Sequence, residues 1–253
     1  MPTGDFTGKT VLVTGGTRGI GRAVSLRLAS EGAQIAASYY SRESDAEATL
    51  REIEAAGAKA IVVAGDVADP DDAQRIVETT RESLGPIDML VHSAGVSFVE
   101  PASDVTWKTW KRTMAVNLDG TFNMVYAVKD EMIERQFGRI VTVSSIAGLR
   151  ERENQVHYSA SKAAVIAMTR CCAQAWGKHN LRMNCLCPGL TETEMAHTLS
   201  PEVHKTILDA TPLGRIGKPE ELASVARFLL SEESSYMTGQ TVVASGGRVM
   251  IPG

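Results

Sequence analysis

Thr14-Gly15-Gly16-Thr17-Arg18-Gly19-Ile20-Gly21 follows the β-rich run Thr10-Val11-Leu12-Val13 and leads into an amphipathic stretch that reaches Glu31. A strand, a glycine turn and a helix start in that order aim unpaired backbone N–H groups and the positive end of a helix dipole at one spot, which suits a dinucleotide pyrophosphate. The glycines serve steric ends: they permit φ > 0 in the turn, close approach of phosphate to backbone, and close packing of helix on sheet. Isolated matches to this pattern also occur in plain loops, so the rest of the chain must decide.

Outward from that turn, apolar β-rich runs recur at residues 10–14, 34–38, 60–64, 88–92, 139–144, 181–186 and 240–244, with helical stretches between them. Several runs are apolar on both faces, as in a parallel sheet covered on each side. With right-handed crossovers, the alternation predicts an α/β doubly wound, seven-stranded parallel sheet with helices on both faces, a Rossmann fold. Helix starts are marked by Asp69-Pro70-Asp71-Asp72 and Lys218-Pro219-Glu220-Glu221, a cap or first-turn proline followed by acids at the positive dipole end. No repeat, low-complexity tract or linker interrupts residues 1–253, which are read as a single dinucleotide-binding and catalytic domain. Residues 188–213 form a long strand-free segment after the sixth run, at the edge where ligands meet such sheets, and are a candidate substrate lid.

Hydrophobic residues make up 43% of the chain and charged ones 22%, an ordinary globular composition, and a net charge of -4 offers no attraction to nucleic acid or an anionic membrane. The first residues carry neither a basic region nor an apolar one, and no run approaches a membrane span, so a soluble cytoplasmic protein is expected. The cysteines fall as Cys171-Cys172 and Cys185-x-Cys187, spacings that favour packed reduced thiols over a metal or redox site, and no metal is expected.

Tyr158 and Lys162 stand four apart within a helical run from Val156 to Trp176, so both project from one face about 6 Å apart along the axis. A phenol would have to drop about three units from its usual value near 10 to serve as an acid near neutrality, about 4 kcal/mol. One ammonium about 4 Å away at an effective dielectric near 20 supplies a similar amount. The fifth run ends in Val143-Ser144-Ser145, which puts a hydroxyl at the carboxyl end of a strand, where it can hold a carbonyl oxygen while Tyr158 donates its proton. Asn117 sits in a helical stretch, Thr106–Arg135, where asparagine is a poor local choice, which points to a specific hydrogen-bonding role.

Together these residues resemble the short-chain dehydrogenase/reductase family, in its short single-domain branch, over nearly the whole chain. Residues 14–21 match the family's TGxxxGxG turn, Asp66-Val67 its adenine contact, and Asn117, Ser145, Tyr158 and Lys162 its catalytic four in order and spacing. Pro188-Gly189 and Thr193, with Thr191 between them, match its segment beside the nicotinamide. The resemblance implies hydride transfer between a nicotinamide and a carbonyl or secondary alcohol. Tyr158 would be the proton donor, Ser145 the oxygen clamp, Lys162 the holder of the ribose hydroxyls and Asn117 the anchor of a relay water. It also implies backbone contacts to the cofactor from Gly15, Thr17, Gly19, Ile20, Gly21, Ala94 and Gly95, and a homotetramer joined through the long helices.

Two departures stand out: His92-Ser93-Ala94-Gly95 where the family has Asn-Asn-Ala-Gly, and Ala244-Ser245-Gly246-Gly247 where it has Val-Asp-Gly-Gly. The end of the second run carries Tyr39 where an NAD enzyme needs an acid, and Arg18 and Arg42 flank it, so NADP(H) is the expected cofactor. The overall look is nearest to 3-oxoacyl-(acyl-carrier-protein) reductases, which implies reduction of a small-molecule carbonyl. The two arginines those enzymes use for carrier docking are replaced by Gln136 and His179, which leaves open whether a carrier-bound acyl chain is a partner. The same residues also admit an alcohol or dihydrodiol dehydrogenase, and a non-catalytic dinucleotide-binding regulator. The charged stretch Arg150-Glu151-Arg152-Glu153-Asn154-Gln155 either borders the substrate, meets another subunit or is a solvated loop.

Overall fold

The computed structural model describes residues 6–150, 152–197 and 200–250; Glu151 of the charged stretch and residues 198–199 of the lid lie outside them. Seven strands, β1 (Thr10–Thr14), β2 (Gln34–Tyr39), β3 (Ala60–Ala64), β4 (Met89–His92), β5 (Gly138–Val143), β6 (Leu181–Pro188) and β7 (Thr241–Ala244), form one sheet. Its order is β3-β2-β1-β4-β5-β6-β7 and every pairing is parallel, which establishes the doubly wound fold. The strand order reverses between β1 and β4, so a crevice opens beyond their carboxyl ends.

Alternation along each strand divides the core. Val11 and Val13 pack with α1 (Gly19–Ala29), α2 (Glu43–Ala55) and α9 (Pro219–Leu230), while Leu12 and Leu90 face α3 (Pro70–Leu84), α5 (Gly120–Glu134) and α6 (Val156–Trp176). Asp69 caps α3 by accepting from the N–H groups of Asp71 (2.9 Å) and Asp72 (3.3 Å), and Glu221 closes the start of α9 by accepting from Lys218 N–H at 2.8 Å. The lid segment contains α7 (Glu194–His197) and α8 (Pro201–Asp209), and is pinned at its root by the parallel bridge of Thr191 with Gly217.

The single helix expected over Thr106–Arg135 is interrupted. α4 (Trp107–Met114) and α5 are joined through a π-turn, Ala115–Asp119, which holds Asn117. The wider turn accommodates one side chain whose hydrogen bonds lie off the helix, a requirement that the apolar pattern of the sequence does not register.

Candidate active site

At the reversal point lies a cleft of about 520 Å³ that runs from the glycine turn to the lid. Its wall includes Gly15, Thr17, Arg18, Gly19, Ile20, Tyr39, Asp66, Val67, Ala94 and Gly95, together with Ser145, Tyr158 and Lys162 and, from the root of the lid, Pro188, Gly189, Thr191 and Thr193, the last so close to the glycine turn that a Cβ on Gly19 would lie 3.2 Å from its Cγ2. Three residues expected at the site are not part of that wall: Gly21 and Asn117 are buried behind it, and Arg42 is exposed outside it. Gly21 packs α1 on the turn so closely that a Cβ there would lie 2.2 Å from the Gly15 carbonyl oxygen. Gly15 has φ +60, and its own Cβ would come within 3.1 Å of the Ala94 backbone.

The N-cap of α1, Arg18, makes no side-chain cap bond, and no acid stands in the first turn. The free N–H groups of that turn therefore face the cleft with their positive dipole uncompensated, a fit for a pyrophosphate. Beyond the ends of β2 and β3, Asp66 is held in place: its carboxylate accepts from Arg112 (2.9 Å) and from the Ala68 N–H (3.0 Å). Arg112, from α4, also lies over the ring of Tyr40, 5.5 Å from its centroid.

Arg18 and Arg42 both point to one carboxylate. Glu194, at the start of α7, accepts from Arg18 at 2.8 Å and from Arg42 at 2.6 Å, so the lid is clipped to the edge where a 2′-phosphate is expected.

Asn117 is fully buried. Its Nδ2 donates to the Val96 carbonyl (3.0 Å) and the Ser161 hydroxyl (3.0 Å), and its Oδ1 accepts from Val96 N–H (2.8 Å). The side chain thereby ties the loop after β4 to α6, and a Cβ on Gly95 would lie 3.2 Å from its Oδ1 and 3.4 Å from Lys162 Nζ.

Ser145 follows β5 and accepts from Ala147 N–H at 3.1 Å, and both Ser145 and Tyr158 line the cleft. Lys162 Nζ is 5.8 Å from the Tyr158 ring centroid and donates to the Val143 carbonyl at 2.9 Å. The expected lowering of the phenol by this ammonium is not what the structure has. Burial holds the Tyr158 phenol above its usual value; the Ser145 hydroxyl and the Arg152 guanidinium pull it down, and the Cys187 thiol adds a further push upward. Helix spacing sets where the two side chains start, but the Lys162 stem runs toward the sheet and spends its proton on a carbonyl. Lys162, only 5% exposed, is itself lowered to about 8 by burial.

His92, in place of the family's asparagine, is buried; its Nδ1 bonds the Thr14 hydroxyl at 2.9 Å while Nε2 has no partner. Burial, with help from the Lys162 charge, lowers it to about 3, so it is neutral. His157, beside the tyrosine, is fully buried between Thr113 (3.2 Å) and Glu100 (3.1 Å), a structural position remote from acid-base work. Ser245, in place of the family's aspartate, accepts from Val249 N–H at 3.1 Å and so closes a local turn. All four cysteines are free; Cys185 and Cys187 lie buried on β6 with sulfurs 4.0 Å apart, and among the described residues no cluster of three metal-ligating side chains occurs.

Sequence reasoning missed Arg112, Glu194 and Arg248, which reach the cleft from α4, α7 and the stretch after β7. None sits in a motif; the charge of Arg152 was the one signal near the substrate end.

A family profile described as Enoyl-(Acyl carrier protein) reductase matches residues 15–248. L-rhamnose 1-dehydrogenase (NAD(P)(+)) of Sphingomonas sp. is 41% identical over 95% of this chain and 96% of its own. The 3-oxoacyl-[acyl-carrier-protein] reductase FabG of Thermotoga maritima is 39% identical over 96% of this chain and 98% of its own. A crystal structure of 3-oxoacyl-[acyl-carrier protein] reductase from Brucella melitensis superposes with a TM-score of 0.90 at 34% identity, covering 96% of this chain and 92% of that one. With sheet order, cleft and relatives in agreement, the chain belongs to the short-chain dehydrogenase/reductase family of oxidoreductases.

Proposed function

We propose that this protein is an NADP(H)-dependent reductase that converts the ketone of a small molecule to a secondary alcohol, with Tyr158 as the proton donor. The observation that carries this reading is that Ser145, Tyr158 and Lys162 line one cleft with the uncapped start of α1, with the Ser145 hydroxyl near enough to the Tyr158 phenol to pull it down. Gly15, Thr17, Gly19 and Ile20 would hold the pyrophosphate, Asp66 and Val67 the adenine side, and Ala94, Gly95, Pro188, Gly189, Thr191 and Thr193 the nicotinamide side. The bound nucleotide supplies the hydride.

The residues do the rest. Ser145 Oγ and the Tyr158 hydroxyl converge on one carbonyl oxygen, and Tyr158 passes its proton to that oxygen as negative charge develops there. The raised phenol keeps that proton in the free protein, a resting state suited to an acid. Lys162 sits behind, its amine held by the Val143 carbonyl, where the resemblance would have it hold the ribose hydroxyls. Asn117 acts as a positioning residue that fixes the Val96 loop against α6.

Tyr39 at the end of β2, with Arg18 and Arg42 beside it, supports NADP(H) over NAD(H), since no acid is available there for a ribose hydroxyl. Against carrier docking, Gln136 and His179 hydrogen bond each other at 3.1 Å, and neighbouring Arg135 is committed to Asp88. The oxidative direction is the second reading, favoured by the 41% identity to a sugar dehydrogenase. Intact Asn117, Ser145, Tyr158 and Lys162 speak against a purely regulatory role.

The test follows NADPH absorbance against β-ketoesters, acyl thioesters, quinones and cyclic ketones. Tyr158→Phe is expected to abolish turnover and leave NADPH affinity within severalfold; unchanged turnover would overturn the mechanism. An NADH preference at equal low concentration would overturn the cofactor assignment.

A further inference from the structure

The two ends of the cleft differ in charge. Its two acidic side chains, Asp66 and Glu194, both stand at the adenosine end, and both are neutralised there by arginines. At the substrate end two arginines line the wall, Arg152 before α6 and Arg248 after β7, and neither forms an ion pair among the described residues. Arg152 donates only its Nε, to Gln155 Oε1 at 3.1 Å, and Gln155 is held in turn by its bond to Ser97 at 2.7 Å. This orients the guanidinium and leaves its outer edge free. Arg248 is tethered through Nη1 to the Ile207 carbonyl at 2.7 Å, while its buried Nε has no partner.

Cations without counterions are costly to hold together, and here both guanidinium groups are lowered, first by burial and then by their neighbours: Arg150 acts on Arg152, and both act on Arg248. Arg152 is also close enough to Tyr158 to pull the phenol down. An oxyanion placed between the guanidinium groups would relieve that repulsion and accept from a preset planar fork.

The geometry points to a substrate that carries an oxyanion, gripped by Arg152 and Arg248 while its carbonyl meets Tyr158 and Ser145. The class is small keto acids or their hydroxy-acid counterparts. This assignment rests on the reductase reading for the place of the carbonyl, and its test separates the two.

The probes are levulinate and methyl levulinate, one ketone with and without the charge, titrated by calorimetry into the protein saturated with NADP+ and assayed for turnover with NADPH. Levulinate is expected to bind roughly 10- to 100-fold tighter than its ester. Arg152→Gln and Arg248→Gln should each cut that preference to under roughly fivefold, with Arg152→Lys retaining an intermediate value. Unchanged NADPH binding in each variant shows that the fold is intact. Equal binding of acid and ester, or a preference that survives in both glutamine variants, overturns the inference, and turnover of the ester alone does so while leaving the reductase standing. Charge-dependent binding without turnover of either ketone, or of any ketone in the panel above, sustains the oxyanion site and instead removes the reductase reading.

Discussion

Replacing Lys162 with methionine is expected to abolish catalysis and to alter the pH dependence of stability in a direction set by burial. Lys162 titrates at about 8 in the folded chain against an ordinary value of 10.5. Below about 8 the folded protein therefore carries a buried charge at an energetic cost of about 3 kcal/mol, at 1.36 kcal/mol per unit. As pH rises from there toward 10.5, the folded chain has already lost the proton while the unfolded chain still binds it, so wild-type stability increases over that window relative to a variant that cannot titrate. Between about pH 7 and about pH 9.5 the stability difference should move by roughly 2 kcal/mol in favour of the wild type, near 4–8 °C in Tm for a domain of this size. The bond lost to the Val143 carbonyl adds a constant offset and leaves the slope untouched. Urea unfolding of both proteins across that range, followed by circular dichroism, gives the difference directly; parallel curves with a constant gap would refute the argument that this ammonium is held in a desolvated site.

Glu194→Gln should free Arg18 and Arg42 from their shared carboxylate and lower the KM for NADPH by roughly two- to tenfold, since exposed ion pairs are worth about 0.2–1 kcal/mol each. NADH kinetics measured alongside should not move, and an equal gain for both nucleotides would sink the idea. His92 stays neutral down to about 3 when folded but takes a proton near 6.5 when unfolded, so the wild type loses stability as pH falls through 6.5. His92→Asn should remove roughly 2 kcal/mol of that loss between about pH 7 and about pH 5, read by denaturant titration at each pH. Phe122 and Tyr126 are stacked at 4.1 Å on α5, with Trp176 of α6 edge-on at 5.7 Å, yet Phe122 and Tyr126 remain 47% and 40% exposed. We expect this aromatic face to be covered in a homotetramer, and light scattering that returns a monomer would exclude it.

The strands were legible because their signal is local: each of the seven runs lies within two residues of its strand, and the apolar character of both faces carries the parallel topology. The glycine turn and Tyr158-x-x-x-Lys162 were legible as well, since backbone sterics and helix spacing leave a direct trace in residue order. What sequence cannot carry is the direction of a long side chain. Lys162 lies one turn from Tyr158 as expected, but its amine is turned to Val143, so the phenol is governed by burial, Ser145 and Arg152. Glu194 and Arg248 reach the cleft from elements more than a hundred residues beyond the glycine turn, and only the packed sheet brings them to it.

The π-turn at Ala115–Asp119 makes the spacing between Thr106 and Arg135 rigid in a way that a surface loop is not. Removing one residue there would restore an ordinary helix and take away the wider turn that holds Asn117. The Asn117 amide would then turn away from the Val96 strap it grips with both its oxygen and its nitrogen. Insertions and deletions among descendants of this chain should therefore collect in the connections at the sheet's other end, and the count of residues across this span should stay constant even where their identities drift.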